Sequence, residues 1–437
     1  MMNDVLVLGT SGFIVVLVLI LLEIPIGVAM GLVGIAGSVM IIGLDGGLSI
    51  GATTVWQSLT NYTISVLPLF ILMGNLAASA GISSRLYSAM RALIGHKPGG
   101  LALATVGASA GFGMLSGSSL ATVATISRIA VPEMRAARYP MSLSAGSAAA
   151  GGTLGILIPP STILIIYAFL TDQSIKDMML AALIPSGIGV VAYALAVIIA
   201  IKIGYEKIPV IDRATRSERI AALKDLLPTI GIFALIMGGL FAGVFTANEA
   251  AAVGVGIVFL YSVITRQLSF AGMVQAARNT ARTSAALYLV LIGAGIFNFF
   301  LTLTGLPFTL TSMLSPFVEN PLLLILLMVI IYLVLGAVMD SLAMLLLTVP
   351  LFTPVILAAG IDPIWFGIFV VVMVEVGLIT PPIGMNLFVV RAINPDAPLL
   401  QIWKGVVPFL FAEIVRVILL IAIPATAVWL PYMVLGR

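Results

Sequence analysis

The chain has 437 residues, 61% hydrophobic and only 8% charged, with a mean hydropathy of +1.24; a soluble domain carries about 25% charged residues, so water cannot be the solvent for most of it. With no cysteine, and with His96 beside Lys97 in a polar loop as its one histidine, it is denied disulfides, thiolate metal sites, iron-sulfur clusters and a thiol nucleophile, and it is a poor candidate for a Ser-His-Asp triad or a two-histidine zinc site. The net charge of +3 fits a membrane protein with basic loops on one side, and without a Gly-x-x-x-x-Gly-Lys-Ser/Thr loop to hold ATP the energy must come from an ion gradient or a partner.

A spanning helix needs about 20 apolar residues, and such stretches follow one another along the chain. Residues 5–22, 24–44 and 62–80 are predicted to cross the membrane in turn, the first as a retained span because it lacks a basic leader and an Ala-x-Ala cleavage site. Residues 99–126 then enter and return as a re-entrant hairpin, 141–170 cross, and 178–201 lead back to a polar, charged linker at 202–227. The second half repeats the scheme, with spans at 228–245, 250–264 and 285–304, a second hairpin at 322–349, and spans at 364–390 and 406–428. The predicted fold class is therefore an all-α, polytopic helical transporter with two hairpins and two broken helices, divided into a first repeat at 1–201 and a second at 228–437.

The repeat shows as a fixed offset. Gly-Ile-Leu-Ile-Pro-Pro from Gly155 to Pro160 lies over Gly-Leu-Ile-Thr-Pro-Pro from Gly377 to Pro382 at 377 − 155 = 222, and the same spacing puts Ser119-Leu-Ala121 on Ser341-Leu-Ala343, Pro132 on Pro354 and Gly34 on Gly256. First-half loops carry Arg85, Arg91, Lys97, Arg128, Arg135 and Arg138, whereas their counterparts around 305–320 and 350–363 carry no lysine or arginine. Short basic loops stay in the cytoplasm, so the halves are predicted to be inverted, with both termini periplasmic. Only Lys176, Arg416 and Arg437 then fall outside the cytoplasmic face, and Trp56, Trp365, Trp403, Trp429 and Tyr432 fall near the membrane interfaces.

Pro159-Pro160 and Pro381-Pro382 stand inside spans, where each proline removes a backbone donor. Transporters tolerate such breaks where unwound backbone lines a buried site; the plainer alternative is a pair of kinks, against which the recurrence in both halves argues. Ser116-Gly-Ser-Ser-Leu-Ala-Thr122 and Met339-Asp-Ser-Leu-Ala343 lie in the middle of the hairpins. Their small residues can turn a tip at membrane depth and offer oxygens to a hard cation, or can simply pack helices closely. Acids in the membrane count as site candidates: Asp340 is the strongest and is expected near an ion, Glu375 is a candidate with a half-helix cap or amide acceptor as its alternative, Glu249 reads as a helix cap or amide acceptor, and Glu413 with Arg416 as a structural ion pair.

These motifs resemble the large membrane subunit (M subunit, DctM-like) of the tripartite ATP-independent periplasmic (TRAP) transporters, essentially end to end. The resemblance rests on Leu67-Pro-Leu-Phe-Ile-Leu-Met-Gly-Asn75, Ser116-Gly-Ser-Ser119, Gly151-Gly-Thr-Leu-Gly-Ile-Leu-Ile-Pro-Pro-Ser161, Asn248-Glu-Ala-Ala-Ala252 and Glu375-Val-Gly-Leu-Ile-Thr-Pro-Pro-Ile-Gly-Met-Asn386. Ser127-Arg128 departs from the small pair more usual there, which bears on the shape of that cytoplasmic loop. The resemblance implies a sodium-driven importer of carboxylates in the bacterial inner membrane, working as an elevator with a small four-helix membrane subunit (Q type) and a periplasmic substrate-binding protein (P type), and with no cofactor beyond sodium as coupling ion. It implies one sodium site at Ser116, Gly117, Ser118 and Ser119 with Gly155 and Pro159, and another at Asp340 and Ser341 with Gly377 and Thr380. Substrate would lie near Pro160, Ser161, Thr380, Pro381 and Asn386. Sialic acid, C4-dicarboxylates and other organic acids all remain open as cargo. A stand-alone sodium-dicarboxylate symporter is the nearest alternative, with an intramembrane enzyme or a channel further off.

Overall fold

The computed structural model describes residues 2–204, 208–337 and 339–435, and among them all regular structure is helical. The first half comprises α1 (Met2–Leu21), α2 (Ile26–Thr60), α3 (Val66–Ser79), α4 (Ile82–Ile94), α5 (Gly100–Ser116), α6 (Ser119–Ala136), α7 (Met141–Leu157), α8 (Thr162–Leu170) and α9 (Ile175–Ile203). The second comprises α10 (Arg216–Phe241), α11 (Ala247–Ile264), α12 (Phe270–Thr304), α13 (Leu306–Met313), α14 (Ser315–Val318), α15 (Pro321–Gly336), α16 (Ser341–Ala358), α17 (Pro363–Ile379), α18 (Met385–Ile393), α19 (Leu399–Ala422) and α20 (Ala425–Leu435). Eight of these are long and apolar enough to cross a membrane alone, or ten spans result if each of two bent pairs counts as one.

Several boundaries differ from the sequence reading, each for a local reason. α2 runs past residue 44 to Thr60, bending at Gly43, whose φ of 82° only glycine adopts freely. α4 occupies a stretch expected to be loop. It buries Ile82, Leu86 and Tyr87 while exposing Arg91, and it leaves α3 at 62°. α10 begins inside the expected linker because Thr215 and Glu218 form a reciprocal capping box; the intervening segment is 204–215, of which 205–207 lie outside the described residues. α12 starts at Phe270 rather than 285, under a Ser269 cap that accepts the Gly272 amide at 3.0 Å. The expected loop at 305–320 contains α13 and α14, and the last predicted span divides into α19 and α20 at Pro424.

Both hairpins and both broken helices are present. α5 and α6 turn back at Gly117-Ser118, and α16 starts at Ser341, with four residues separating it from the end of α15 at Gly336. α7 and α8 meet at a 42° bend across 158–161, and α17 gives way to α18 across 380–384. The first halves of the broken helices form the centre of the molecule, with residues 143–161 and 364–379 buried throughout. α7 can sit there because it is built from alanine, glycine and serine, so that α5, α6 and α19 approach its backbone. A second group, led by α2 against α12, packs through glycine as well; a Cβ on Gly34 would lie 2.8 Å from Phe297 Cα.

Candidate functional site

At the first tip, Ser118 caps α6 by accepting the Ala121 amide at 3.4 Å, and Gly117 adopts a φ of 56°. No side chain fits at Gly117, because its Cβ position abuts the Pro160 carbonyl oxygen. Thr162, just past the break, donates its hydroxyl to the Gly117 carbonyl at 3.0 Å. The tip therefore rests on the unwound segment of the α7–α8 pair, with Gly117 set against Pro160 and Thr162.

Behind the tip lies a cluster of neutral oxygens. Ser116 Oγ and Thr122 Oγ1 are 2.9 Å apart, and the Thr122 hydroxyl donates to the Ser118 carbonyl at 2.8 Å. Two of them face Gly155: a Cβ there would stand 2.6 Å from Thr122 Oγ1 and 3.1 Å from the Ser118 carbonyl oxygen. Hydroxyls and carbonyls suit a hard cation, which binds oxygen ligands. Thr122 closes the serine-rich motif that offers oxygens to a cation but was not among the expected sodium-site residues; its place one helical turn after Ser118 was the available signal.

The second tip repeats the construction. Asp340 stands where the repeat spacing places the equivalent of Ser118, and it too is an N-cap, accepting the Ala343 amide at 2.6 Å. A Cβ on Gly113 would lie 2.7 Å from Gly155 Cα, and one on Gly336 would lie 2.7 Å from Gly377 Cα, so each hairpin crosses its broken helix backbone to backbone. From crossing to cap the first tip takes 118 − 113 = 5 residues and the second 340 − 336 = 4, which makes the second tip tighter. At the second break Thr380 donates its hydroxyl to the Val376 carbonyl at 2.6 Å and its amide to Gly377 at 3.2 Å. Pro381 is half-buried there, whereas Pro159 and Pro160 are fully buried.

The tips meet at a cavity of about 710 Å³. Ser116, Ser118 and Ser119 line it from the first tip and Ser341 from the second, while Asn75, Ser79 and Ser83 on α3 and α4, with Asn279 and Thr283 on α12, supply the facing wall. The wall residues are the part that sequence reasoning missed. Asn75 sits in one of the quoted motifs, and Asn279 and Thr283 are four apart on one helix face. Arg128 also lines this cavity; it lies on α6, which continues to Ala136, and not in a loop.

Two expected substrate residues are occupied by protein partners. Asn386 is fully buried and donates to Ser119 Oγ at 2.8 Å and to the Ala149 carbonyl at 3.1 Å. Ser161, also fully buried, caps α8 by accepting the Leu164 amide at 3.2 Å and gives its hydroxyl to the Ile156 carbonyl.

The remaining membrane charges are structural. Glu249 accepts the Thr246 amide at 2.8 Å in a capping box, and Asn248 beside it donates to the Tyr62 carbonyl at 2.7 Å. Arg416 pairs with Glu413 at 2.8 Å as expected, and also with Glu375, which joins α17 to α19.

Paired hairpins and broken helices around a polar cavity define a polytopic helical membrane transporter. The fold is shared with the YdaH transporter of Alcanivorax borkumensis, to which the chain is similar with a TM-score of 0.62 at 15% identity over 87% of this chain and 90% of that one. The family described as tripartite ATP-independent periplasmic transporter, DctM component, matches residues 13–426, and the chain belongs to it. It is 33% identical over 414 residues to the sialic acid TRAP transporter large permease protein SiaM of Vibrio cholerae, covering 94% of this chain and 96% of that one. It is 34% identical over 381 residues to the C4-dicarboxylate TRAP transporter large permease protein DctM of Pseudomonas aeruginosa, covering 87% and 88%.

Proposed function

We propose that this chain is the ion-coupled permease subunit that imports a carboxylate-bearing organic anion across the bacterial inner membrane. The observation that carries the reading is the hydroxyl and carbonyl cluster over Gly155, which opens beside a polar cavity shared by both hairpin tips. The cluster supplies neutral oxygens for sodium, and the cavity is of the size that small-molecule sites have, roughly 300–1,000 Å³. The relatives named for sialic acid and for C4-dicarboxylates both handle carboxylates.

Coupling follows if an ion and the cargo are held by one rigid body. The glycine crossings fasten each hairpin to its broken helix, and that unit would slide as an elevator against the group containing α2, α3 and α12, both termini lying outside. The family's tripartite character supports a small four-helix membrane subunit and a periplasmic binding protein as partners.

The test is uptake into proteoliposomes by the chain combined with both partners, using labelled succinate and N-acetylneuraminate. Accumulation of either acid that needs an inward sodium gradient is expected. Uptake indifferent to sodium would remove the coupling, and uptake unaffected by omission of the binding protein would favour a stand-alone symporter.

A further inference from the structure

The walls of the central cavity are polar but nearly uncharged. Apart from apolar groups, its described lining consists of serine and threonine hydroxyls and the amides of Asn75 and Asn279, with a single charged side chain, Arg128. Ala121, Thr125 and Arg128 follow one another at helical spacing on the cavity face of α6. Arg128 is exposed, and among the described residues it makes no ion pair or hydrogen bond, whereas Arg91 pairs with Glu133 at 3.2 Å and Arg135 with Asp396 at 3.4 Å nearby. A guanidinium left free in a cavity whose walls carry no other charge sets the sign of the field that any entering anion meets, and its planar fork matches a carboxylate.

We propose that Arg128 is a specificity-determining residue of this transporter, taking the carboxylate of the organic anion at the end of the cavity remote from the hairpin tips. Nine residues separate it from Ser119 on the same helix, about 13 Å along the axis at 1.5 Å per residue. The tips therefore hold the neutral part of the site and α6 its positive end. Hydroxyls and amides hydrogen-bond many solutes, so the charge at Arg128 is what selects an acid over a neutral molecule of the same shape. This assignment rests on the transport reading given above and adds to it the residue that reads the cargo's charge.

The absence of cysteine from the chain makes a charge-replacement experiment possible. Arg128→Cys introduces a unique thiol, and the purified chain is labelled before it is combined with its partners. The probes are labelled succinate and N-acetylneuraminate, each at several concentrations. Arg128→Cys and Arg128→Gln are expected to raise KM by about tenfold or more, the scale of one lost charge-assisted hydrogen bond. Treatment of Arg128→Cys with a cationic aminoethyl thiosulfonate should restore much of the uptake, while neutral methyl and anionic sulfonatoethyl reagents should not. Arg138→Cys, on an exposed turn away from the cavity, should respond to none of them. Unchanged KM in both Arg128 variants, or equal rescue by the neutral reagent, overturns the assignment while leaving the transport reading intact. Failure of the unaltered chain to take up either acid overturns both.

Discussion

Asn386, in the second half of the chain, donates its side-chain amide to the Oγ of Ser119 at 2.8 Å, and so ties the tip of the first hairpin to the far side of the sequence. The same amide reaches the Ala149 carbonyl at 3.1 Å, and the Ser119 hydroxyl lies 3.0 Å from Asn386 Oδ1. Asn386→Ala leaves buried polar groups without partners, at a cost of about 1–3 kcal/mol. A lower unfolding temperature in detergent and weakened uptake are expected. Wild-type values for both would show that the contact holds nothing in place.

Gly155→Ala tests the oxygen cluster. Its methyl group would press on Thr122 Oγ1 and the Ser118 carbonyl, and overpacking of this kind costs roughly 1–3 kcal/mol. If an ion is bound by those oxygens, the sodium concentration for half-maximal uptake rises, by on the order of tenfold for about 1.4 kcal/mol. Gly256→Ala, where nothing lies within 4 Å of the new methyl, should leave sodium dependence unchanged. An identical response in the two variants would argue against an ion at the first tip.

Arg416 lies between Glu413 and Glu375, and the three side chains are at most 2% exposed. Removing the cation strands two carboxyl groups, and breaking a buried pair in this way costs roughly 3–5 kcal/mol. Arg416→Met should therefore yield a poorly folded protein by thermal unfolding and gel filtration. Replacing all three by apolar residues of similar volume should recover most of the stability. A stable Arg416→Met single variant would contradict the structural role.

Sidedness can be read with the same cysteine-free background. Asp172→Cys should react with a membrane-impermeant maleimide added outside intact cells, and Ser217→Cys should react only after permeabilisation. The opposite pattern would invert the predicted topology.

The hairpins and breaks were legible in the sequence because turning a chain at membrane depth demands glycine, proline and short hydroxyl residues, and few other places tolerate them. Glu249 announced its capping role by position, whereas Ser118 and Asp340, expected as ion ligands, also cap α6 and α16. α4 was not legible, since its alternation of buried Leu86 with exposed Arg91 reads in one dimension like a basic loop. Glu375 gave no sign of Arg416, because 41 residues separate them and only the packing of α17 on α19 brings them together. The cavity wall was hidden for a related reason. Asn279 and Thr283 are ordinary polar residues until α12 is laid beside the tips.

At Gly113 with Gly155, and again at Gly336 with Gly377, two main chains touch with no side chain to cushion them. Each crossing is thus a rigid seam, with no rotamer between hairpin arm and helix break to absorb a displacement. Compliance is displaced to the periphery, where side chains of ordinary length can change rotamer. Adding a single methyl group at Gly113, Gly336 or Gly377 would drive the two backbones apart and so loosen the hairpin from its helix break.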